Sequence, residues 1–129
     1  MKEPVWVLPR VVAAMHEMMI ARHGGSAGVR DQGLSESALA RPQQIFNYEE
    51  PDLPQLAAAY VAGIVKNHPF VDGNKRTGFM TGFVFLERNG LNFAAPEAEA
   101  TQMVLALAAS EITEGQLAAW LRDNVKRRR

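Results

Sequence analysis

Apolar residues recur every three or four positions along most of the chain, the spacing that places them on one face of an α-helix. Six segments show this pattern, and sustained alternation of apolar and polar residues, which is typical of strands, is almost lacking. The pattern therefore predicts an all-α fold, a compact six-helix bundle around a central helix that carries the main motif.

Proline and glycine set the limits of the first two helices. We expect the first helix to begin at Pro9 and to end at Gly24-Gly25. Its predicted apolar stripe consists of Val11, Val12, Met15, Met18 and Met19. A glycine-rich loop follows to about Gly33, and a second helix covers Leu34 to Arg41. Pro42 either kinks this helix or opens another turn through Phe46.

Capping residues mark three further helix starts. Asp52 is placed to cap the third helix, which ends before Pro69, and Pro96 begins the fifth. Thr113-Glu114-Gly115-Gln116 has the form of a capping box that opens the sixth helix. The basic run Lys126-Arg127-Arg128-Arg129 is interpreted as the fraying end of that helix, where positive charge is favourable.

The fourth helix carries the most informative stretch, Lys66 to Gly90. Gly90 suits the end of this helix, and the spacing predicts a buried face. That face consists of Phe79, Phe83 and Leu86, with Met80 and Val84 beside it. The helix opens with Gly73-Asn74-Lys75-Arg76, where free backbone N–H groups and the helix dipole attract anions. Two cations at this positive end are unfavourable unless an anion is bound, which indicates an anion site.

A nucleotide phosphate would give each polar residue of this stretch a role. Asp72 is a candidate Mg²⁺ ligand, because Mg²⁺ prefers carboxylate, water and phosphate oxygens. Arg76 offers a planar fork and Lys75 a flexible point charge to phosphate oxygens. Asn74 can donate its amide to a further oxygen, and Lys66 can also face the anion.

His68, four residues before Asp72, is the candidate general base. Imidazole exchanges protons near neutral pH and can take the proton of an attacking hydroxyl. The plain alternative is that His68 is a structural histidine and that Lys75 and Arg76 are a solvated pair, as isolated histidines and basic pairs usually are.

Length and composition exclude several classes of protein. The chain has 129 residues, of which 47% are apolar, and this predicts one globular domain over residues 1–129. The formal net charge is zero and there are no cysteines, so neither a strong general attraction to nucleic acid nor a thiolate metal site is expected. Neither a signal peptide nor a membrane span is evident, and a cytoplasmic location is expected.

The stretch H-P-F-V-D-G-N-K-R, His68 to Arg76, resembles the signature of the Fic/Doc family, H-x-F-x-[D/E]-[G/A]-N-[G/K]-R. Lys75 and Phe79 stand where Fic proteins that transfer AMP prefer a glycine and a second arginine, and they look like the death-on-curing, or Doc, branch. Arg22 to Pro42 also resembles the N-terminal half of death-on-curing toxins. The similarity covers nearly the whole chain.

The resemblance implies a toxin of a toxin-antitoxin pair that uses ATP and Mg²⁺. It implies transfer of the γ-phosphate to a hydroxyl of a translation component, elongation factor Tu being the family's target. Two alternatives remain open: AMP transfer to a protein hydroxyl, as in most Fic enzymes, and a non-catalytic regulator bound to an antitoxin.

Control by a separate, Phd-like antitoxin is also implied, bound through its tail, with nucleic acid involved only through the antitoxin. We expect that tail in a groove beside the glycine-rich loop, and Met18, Met19 and Phe46 are candidate lining residues. Ser110 to Gly115 fits the family's internal inhibitory pattern, [S/T]-x-x-x-E-[G/N], but the capping box already explains these residues.

Overall fold

In the computed structural model, which describes residues 2–128, six helices and two short strands follow one another along the chain. They are α1 (Pro9–His23), α2 (Gln32–Tyr48), α3 (Leu53–Asn67), α4 (Asn74–Arg88), β1 (Leu91–Phe93), α5 (Glu97–Ala108), α6 (Glu114–Asp123) and β2 (Val125–Arg127). The predicted all-α architecture of six helices is confirmed. None of the helices in residues 2–128 is long and apolar enough to cross a membrane.

Two capping boxes begin helices where the sequence predicts them. The Asp52 carboxylate accepts the Gln55 backbone N–H at the start of α3, and the Gln55 side chain accepts the Asp52 N–H in return. Thr113 and Gln116 make the same reciprocal pair at the start of α6. These bonds satisfy N–H groups that a helix start otherwise leaves without partners.

Helix α3 is enclosed on all sides, since every residue from Leu56 to Val65 is buried. It contacts α2, α4, α5 and α6. Small residues let two of these neighbours come close: a Cβ added at Gly63 would lie 3.2 Å from the Ala38 carbonyl oxygen of α2. The motif helix α4 lies between α3, α1, α5 and β1.

The buried face of α4 differs from the predicted one. It consists of Asn74, Thr77, Gly78, Thr81, Gly82, Phe85 and Leu86, whereas Phe79 and Phe83 are only half-buried. A Cβ at Gly82 would lie 2.6 Å from Cγ2 of Val61, so α3 and α4 meet along a stripe of small residues. Close helix contact is the physical reason, since it selects the smallest side chains and turns the two phenylalanines outward. Of the predicted face, only Leu86 is buried.

Helix α1 ends at Gly24 as predicted, but its buried stripe includes a histidine. His16 is buried along with Val12, Met15 and Met19, and Met18 is 41% exposed. The prediction for Met18 is therefore wrong, because the buried face of the helix is turned toward His16 and Met18 lies beside that face.

Helix α2 is longer than predicted and runs through Pro42 without interruption. Proline cannot donate the bond that the Ala38 carbonyl would accept. That carbonyl lies against Gly63 of α3, in the close contact between the two helices.

The prediction of a fraying helix end at Lys126 to Arg129 is wrong for its described part. Residues 125–127 form β2, which pairs antiparallel with β1 and places Phe93 opposite Val125. The Ala94 N–H also donates to the Asn124 carbonyl, so a turn after α6 leads directly into the pairing. Arg129 lies outside the described residues.

Candidate active site

A pocket of about 800 Å³ opens at the N-terminus of α4. His68, Asp72, Lys75 and Arg76 all line it, so the four residues predicted to be catalytic surround one cavity. Lys75 and Arg76 are exposed, and neither makes a salt bridge within residues 2–128. Their charge is thus available to a ligand in the pocket.

The start of α4 offers backbone donors to the same pocket. Gly73 precedes the helix in the left-handed region, with φ of 78°, and no side chain among residues 2–128 caps the helix. The first bonded amide is that of Thr77, to the Gly73 carbonyl, and within residues 2–128 the N–H groups of Asn74, Lys75 and Arg76 make no hydrogen bond. Free N–H groups beside two cations form a suitable environment for a phosphate.

Asn74 has a structural part in this arrangement. Its side chain is buried, its Oδ1 accepts the Phe70 N–H at 3.0 Å and its Nδ2 donates to the Phe70 carbonyl at 2.9 Å. The predicted contact of the Asn74 amide with a nucleotide oxygen is therefore not supported, because the amide closes the loop between Phe70 and the helix.

Lys66 does not belong to the pocket. Its Nζ donates to the Ser110 hydroxyl in the turn after α5, and it is not among the lining residues. The prediction that Lys66 faces the anion site is therefore wrong. Lys66 is the last residue but one of α3, where the chain has not yet turned toward the pocket.

His68 lies at the end of α3 in the left-handed conformation, with φ of 53° and ψ of 54°. Its side chain is exposed at the pocket, and its ring makes no hydrogen bond within residues 2–128. The imidazole can therefore meet a hydroxyl from outside. The proline that follows disfavours the ordinary helical conformation at His68, so α3 ends at this residue.

Asp72 is held from two sides. Its carboxylate Oδ2 accepts the Ser26 N–H at 2.9 Å, and its backbone carbonyl accepts a hydrogen bond from His16 Nε2 at 2.8 Å. Ser26 belongs to the glycine-rich loop after α1, residues 24–31, which we call the flap. A Cβ at Gly25, where φ is 115°, would lie 3.2 Å from the Asp72 Cβ, so only glycine fits there comfortably.

The flap is paired with residues 68–73 between α3 and α4, which we call the motif loop. Val29 and Phe70 form an antiparallel bridge, and the Val71 N–H donates to the Gly28 carbonyl at 3.0 Å. The Arg30 N–H donates to the Pro69 carbonyl at 2.6 Å. The flap therefore lies directly against the loop that carries His68 and Asp72.

Several lining residues were missed at the sequence level. Arg22 and His23, at the end of α1, add two groups that can carry positive charge. Phe79, Phe83 and Phe93 form an aromatic wall, with the Phe93 ring 5.8 Å from that of Phe79 and 6.1 Å from that of Phe83. The aromatic wall was not predicted because Phe79 and Phe83 were assigned to the core. For the end of α1, the sequence does contain an indication, since the polar pair Arg22-His23 stands directly before Gly24 and Gly25.

The groove predicted for an antitoxin tail is not formed by the three residues proposed. Met19 lines the pocket, but Met18 does not. Phe46 packs on Trp6, with ring centroids 5.7 Å apart, and is not a lining residue of the pocket. Of the three residues Met18, Met19 and Phe46, Met19 alone lines the pocket and can contact a ligand there.

The carboxylates of the pocket suit a metal ion that is bound by the protein and by substrate phosphates together. No group of three or more histidine, aspartate or glutamate side chains in residues 2–128 could hold an ion alone. Mg²⁺ commonly binds through one or two carboxylates together with substrate phosphates. Asp72, beside the anion-binding helix start, fits this mode.

Comparison with known proteins assigns the family. Residues 6–86 match the Fic/DOC family. The chain belongs to the Fic/DOC family. All four residues around the anion site, from His68 to Arg76, lie inside the matched region, as do the flap and His16.

Two relatives are Doc proteins. The chain is 35% identical over 118 residues to the protein named protein kinase doc of Escherichia phage P1, and the match covers 90% of this chain and 92% of that protein. It is 43% identical over 74 residues to toxin Doc of Mycolicibacterium smegmatis, with 56% of this chain and 57% of the relative covered. This Fic/DOC protein is therefore similar to the Doc branch of the family, as its Lys75 and Phe79 indicate.

Proposed function

We propose that this protein is the toxin of a toxin-antitoxin pair and acts as a phosphotransferase on a hydroxyl of a translation factor similar to elongation factor Tu. One observation carries the proposal: His68, Asp72, Lys75 and Arg76 line a single cavity at the open N-terminus of α4. The similarity to a protein kinase doc and to a toxin Doc supports both the kind of reaction and the toxin role.

The residues divide the binding of ATP among them. The free N–H groups at positions 74–76 and the side chains of Lys75 and Arg76 bind phosphate oxygens. Asp72 would hold Mg²⁺, which would supply positive charge to neutralise the phosphate oxygens. The aromatic wall gives the apolar part of the ligand a surface to pack on.

His68 completes the reaction as general base. It accepts the proton of the target hydroxyl as the hydroxyl oxygen bonds to the γ-phosphorus. The bond from that phosphorus to the bridging oxygen breaks, ADP leaves, and the proton remains on the imidazole. The exposed position of His68 allows a protein substrate to reach it.

Transfer of the γ-phosphate is favoured over transfer of AMP by two residues. Lys75 stands at the helix start where AMP-transferring Fic proteins prefer glycine, and its side chain occupies room that an α-phosphate would need. Phe79 stands where those proteins carry a second arginine, and it packs against Phe93 in the apolar wall. The pocket thus has fewer cationic contacts for a whole triphosphate in the AMP-transferring orientation.

The decisive experiment uses two labels in parallel. Purified protein is incubated with Mg²⁺, a purified elongation factor Tu and ATP carrying ³²P at either the γ- or the α-position. We expect label from the γ-position only, an intact-mass increase of one phosphate, and a loss of about 10²- to 10⁴-fold in His68→Ala. Label from the α-position would establish AMP transfer instead, and no label from either would support a non-catalytic regulator.

The toxin role requires a partner that restrains it, and we propose a separate antitoxin whose tail binds in the pocket region. The cationic helix start and the aromatic wall suit a segment that combines acidic and apolar residues. Expression of the protein alone should arrest growth, and co-expression with the neighbouring open reading frame should restore it. Unimpaired growth with active protein alone would contradict the toxin role.

A further inference from the structure

The corner at the end of α3 holds the proposed general base in an uncommon conformation. His68 is one of two residues other than glycine with positive φ in residues 2–128. Side chains rarely adopt this region because the Cβ approaches the backbone, and such residues persist only where the surroundings fix them. The source of that constraint therefore determines where the imidazole points.

The side chain of Arg30 contributes to this constraint, together with the backbone bond from the His68 N–H to the Ile64 carbonyl at 3.0 Å. Its Nε donates to the His68 carbonyl at 2.7 Å and its Nη2 donates to the Asn67 carbonyl at 2.9 Å. One rigid guanidinium thus spans the carbonyls on both sides of the corner. These carbonyls lie at the C-terminus of α3, where bonding partners are lacking and positive charge is favourable.

Arg30 has no competing acidic partner within residues 2–128, where none of the three salt bridges involves it. The ring of His68 likewise makes no hydrogen bond in that part of the chain. Within residues 2–128 no hydrogen bond to the ring sets its direction, so its direction depends on the backbone corner. We propose that Arg30 is a positioning residue, which directs the imidazole of His68 into the pocket by fixing the backbone behind it. This inference rests on the proposed function, in which His68 is the base.

The flap can keep its place without the Arg30 side chain. The Val29–Phe70 bridge and the Val71 N–H bond to Gly28 use only backbone atoms, and so does the Arg30 N–H bond to Pro69. Substitution of the side chain therefore removes the fork at α3 while the flap remains paired. This separates positioning from folding.

The test compares Arg30→Lys and Arg30→Ala with the wild type and with Arg10→Lys. Lysine keeps the charge but cannot span two carbonyls with a fixed fork. Arg10 is an exposed arginine of α1 outside the pocket and serves as the matched control.

We expect kcat for phosphate transfer to fall about 10- to 100-fold in both Arg30 variants, because displacement of a catalytic group lowers the rate by this factor. The KM for ATP should stay within about twofold of the wild-type value. Guanidinium ion added to Arg30→Ala should recover part of kcat.

A second readout needs neither ATP nor activity. The three-bond coupling between the amide and α protons of His68, with its ¹³Cα shift, reports whether φ is positive. We expect the left-handed signature in the wild type and in Arg10→Lys, and its loss in Arg30→Ala. An unchanged signature in Arg30→Ala, or a wild-type kcat in Arg30→Lys, would overturn the inference. A wild type that transfers no phosphate would refute the proposed function, and the spectra would then show separately whether Arg30 fixes the corner.

Discussion

The Nε2–H of His16 on α1 donates to the backbone carbonyl of Asp72 across 2.8 Å, and the His16 ring stacks on Phe70 with centroids 3.9 Å apart. The imidazole is buried to 3% exposure. One side chain therefore fixes both the apolar anchor of the motif loop and its acid. The donor role at Nε2 follows from the acceptor, since a carbonyl oxygen has no proton to give.

We predict that His16→Phe and His16→Gln will separate these two contacts. Phenylalanine keeps a ring beside Phe70 but has no hydrogen-bond donor. In His16→Phe, the unfolding free energy should therefore fall by about 1 kcal/mol. The Mg²⁺ concentration for half-maximal activity should rise several-fold, because the backbone of Asp72 is no longer held. Glutamine keeps an N–H donor and should retain most of the Mg²⁺ dependence. Urea unfolding and Mg²⁺ titration are the measurements.

The control for His16 is Tyr60→Phe. The Tyr60 hydroxyl accepts the Val7 N–H at 3.1 Å, a buried side chain to backbone bond outside the pocket. Its removal should lower stability and leave the Mg²⁺ requirement unchanged. If His16→Phe behaved in the same way as Tyr60→Phe, the His16 contact would have only a structural role.

Much of the site could be read from the sequence because it is local. His68, Asp72, Lys75 and Arg76 fall within nine residues, and a helix start after Gly73 is enough to bring them to one end. His16 and Arg30 could not be found in this way. Their partners lie 56 and 38 residues along the chain, and only the folded contacts of α1 and the flap show what they hold.

Lys75→Gly tests the basis for choosing between the two transfer reactions. Removing the side chain opens the helix start to an α-phosphate, so we expect AMP transfer to become detectable and phosphate transfer to fall several-fold. The AMP product should remain weak, because Phe79 supplies no second cation. Intact-mass analysis of the target separates the two adducts, and Lys126→Gly, in the outlying strand β2, is the control. An unchanged phosphate product with no AMP adduct would remove Lys75 from the determination of specificity.

Gly82→Ala should destabilise the fold strongly. The added Cβ would meet Cγ2 of Val61 at 2.6 Å and the Ala57 carbonyl oxygen at 3.2 Å, at the contact of α3 with α4. We expect a loss of about 1–3 kcal/mol in unfolding free energy, measured by urea titration. Gly115 is an exposed residue of α6, and a Cβ there would have the Thr113 hydroxyl at 3.8 Å as its nearest neighbour, so Gly115→Ala should be neutral or stabilising by up to about 1 kcal/mol. Equal stability of Gly82→Ala and the wild type would contradict the close approach.

This contact explains why the face of α4 was predicted incorrectly while its ends were correct. Periodicity assigns the largest apolar residues to the core, and Phe79 and Phe83 have the required spacing. Gly78 and Gly82 share another face with Thr77 and Thr81, and this face has large apolar residues only at its end, Phe85 and Leu86. Strand β2 was not predicted for a related reason. Its residues are mostly charged, and its backbone pairs with that of β1, so it has no apolar pattern that would mark it as a strand.

The pair of Asp52 and Arg122 makes stability depend on pH. Arg122 donates from Nε and Nη2 to the two carboxylate oxygens at 2.6 and 3.0 Å, and chiefly through this bond the pKa of Asp52 is lowered from 3.8. A lowered pKa favours the ionised folded state, so the contribution is present above pH 3.8 and is lost as the pH falls through the lower folded value.

We therefore predict that Asp52→Asn is less stable than the wild type at pH 7, by roughly 1 kcal/mol or less for so exposed a pair. The difference should shrink below pH 3.8. Urea midpoints at pH 7, 5 and 3 measure it, with Glu36→Gln, an exposed residue outside the three salt bridges of residues 2–128, as control. A difference that stays constant from pH 7 to 3 would show that the charge of Asp52 does not cause it.

The last prediction concerns Glu114, the acid of the pattern from Ser110 to Gly115. Its carboxylate pairs with Arg41 of α2 at 2.5 Å, it belongs to the first turn of α6, and it is not among the pocket residues. An internal inhibitory glutamate would have to reach the cations of α4, whereas Glu114 is paired with Arg41.

Glu114→Ala should therefore leave phosphate transfer within about twofold of the wild type and lower stability by no more than about 1 kcal/mol. Arg41→Ala breaks the same ion pair from the other side and should match it in both measurements. A rise in transfer of tenfold or more in Glu114→Ala alone would identify Glu114 as an inhibitor, and a separate antitoxin would then not be needed to restrain this protein.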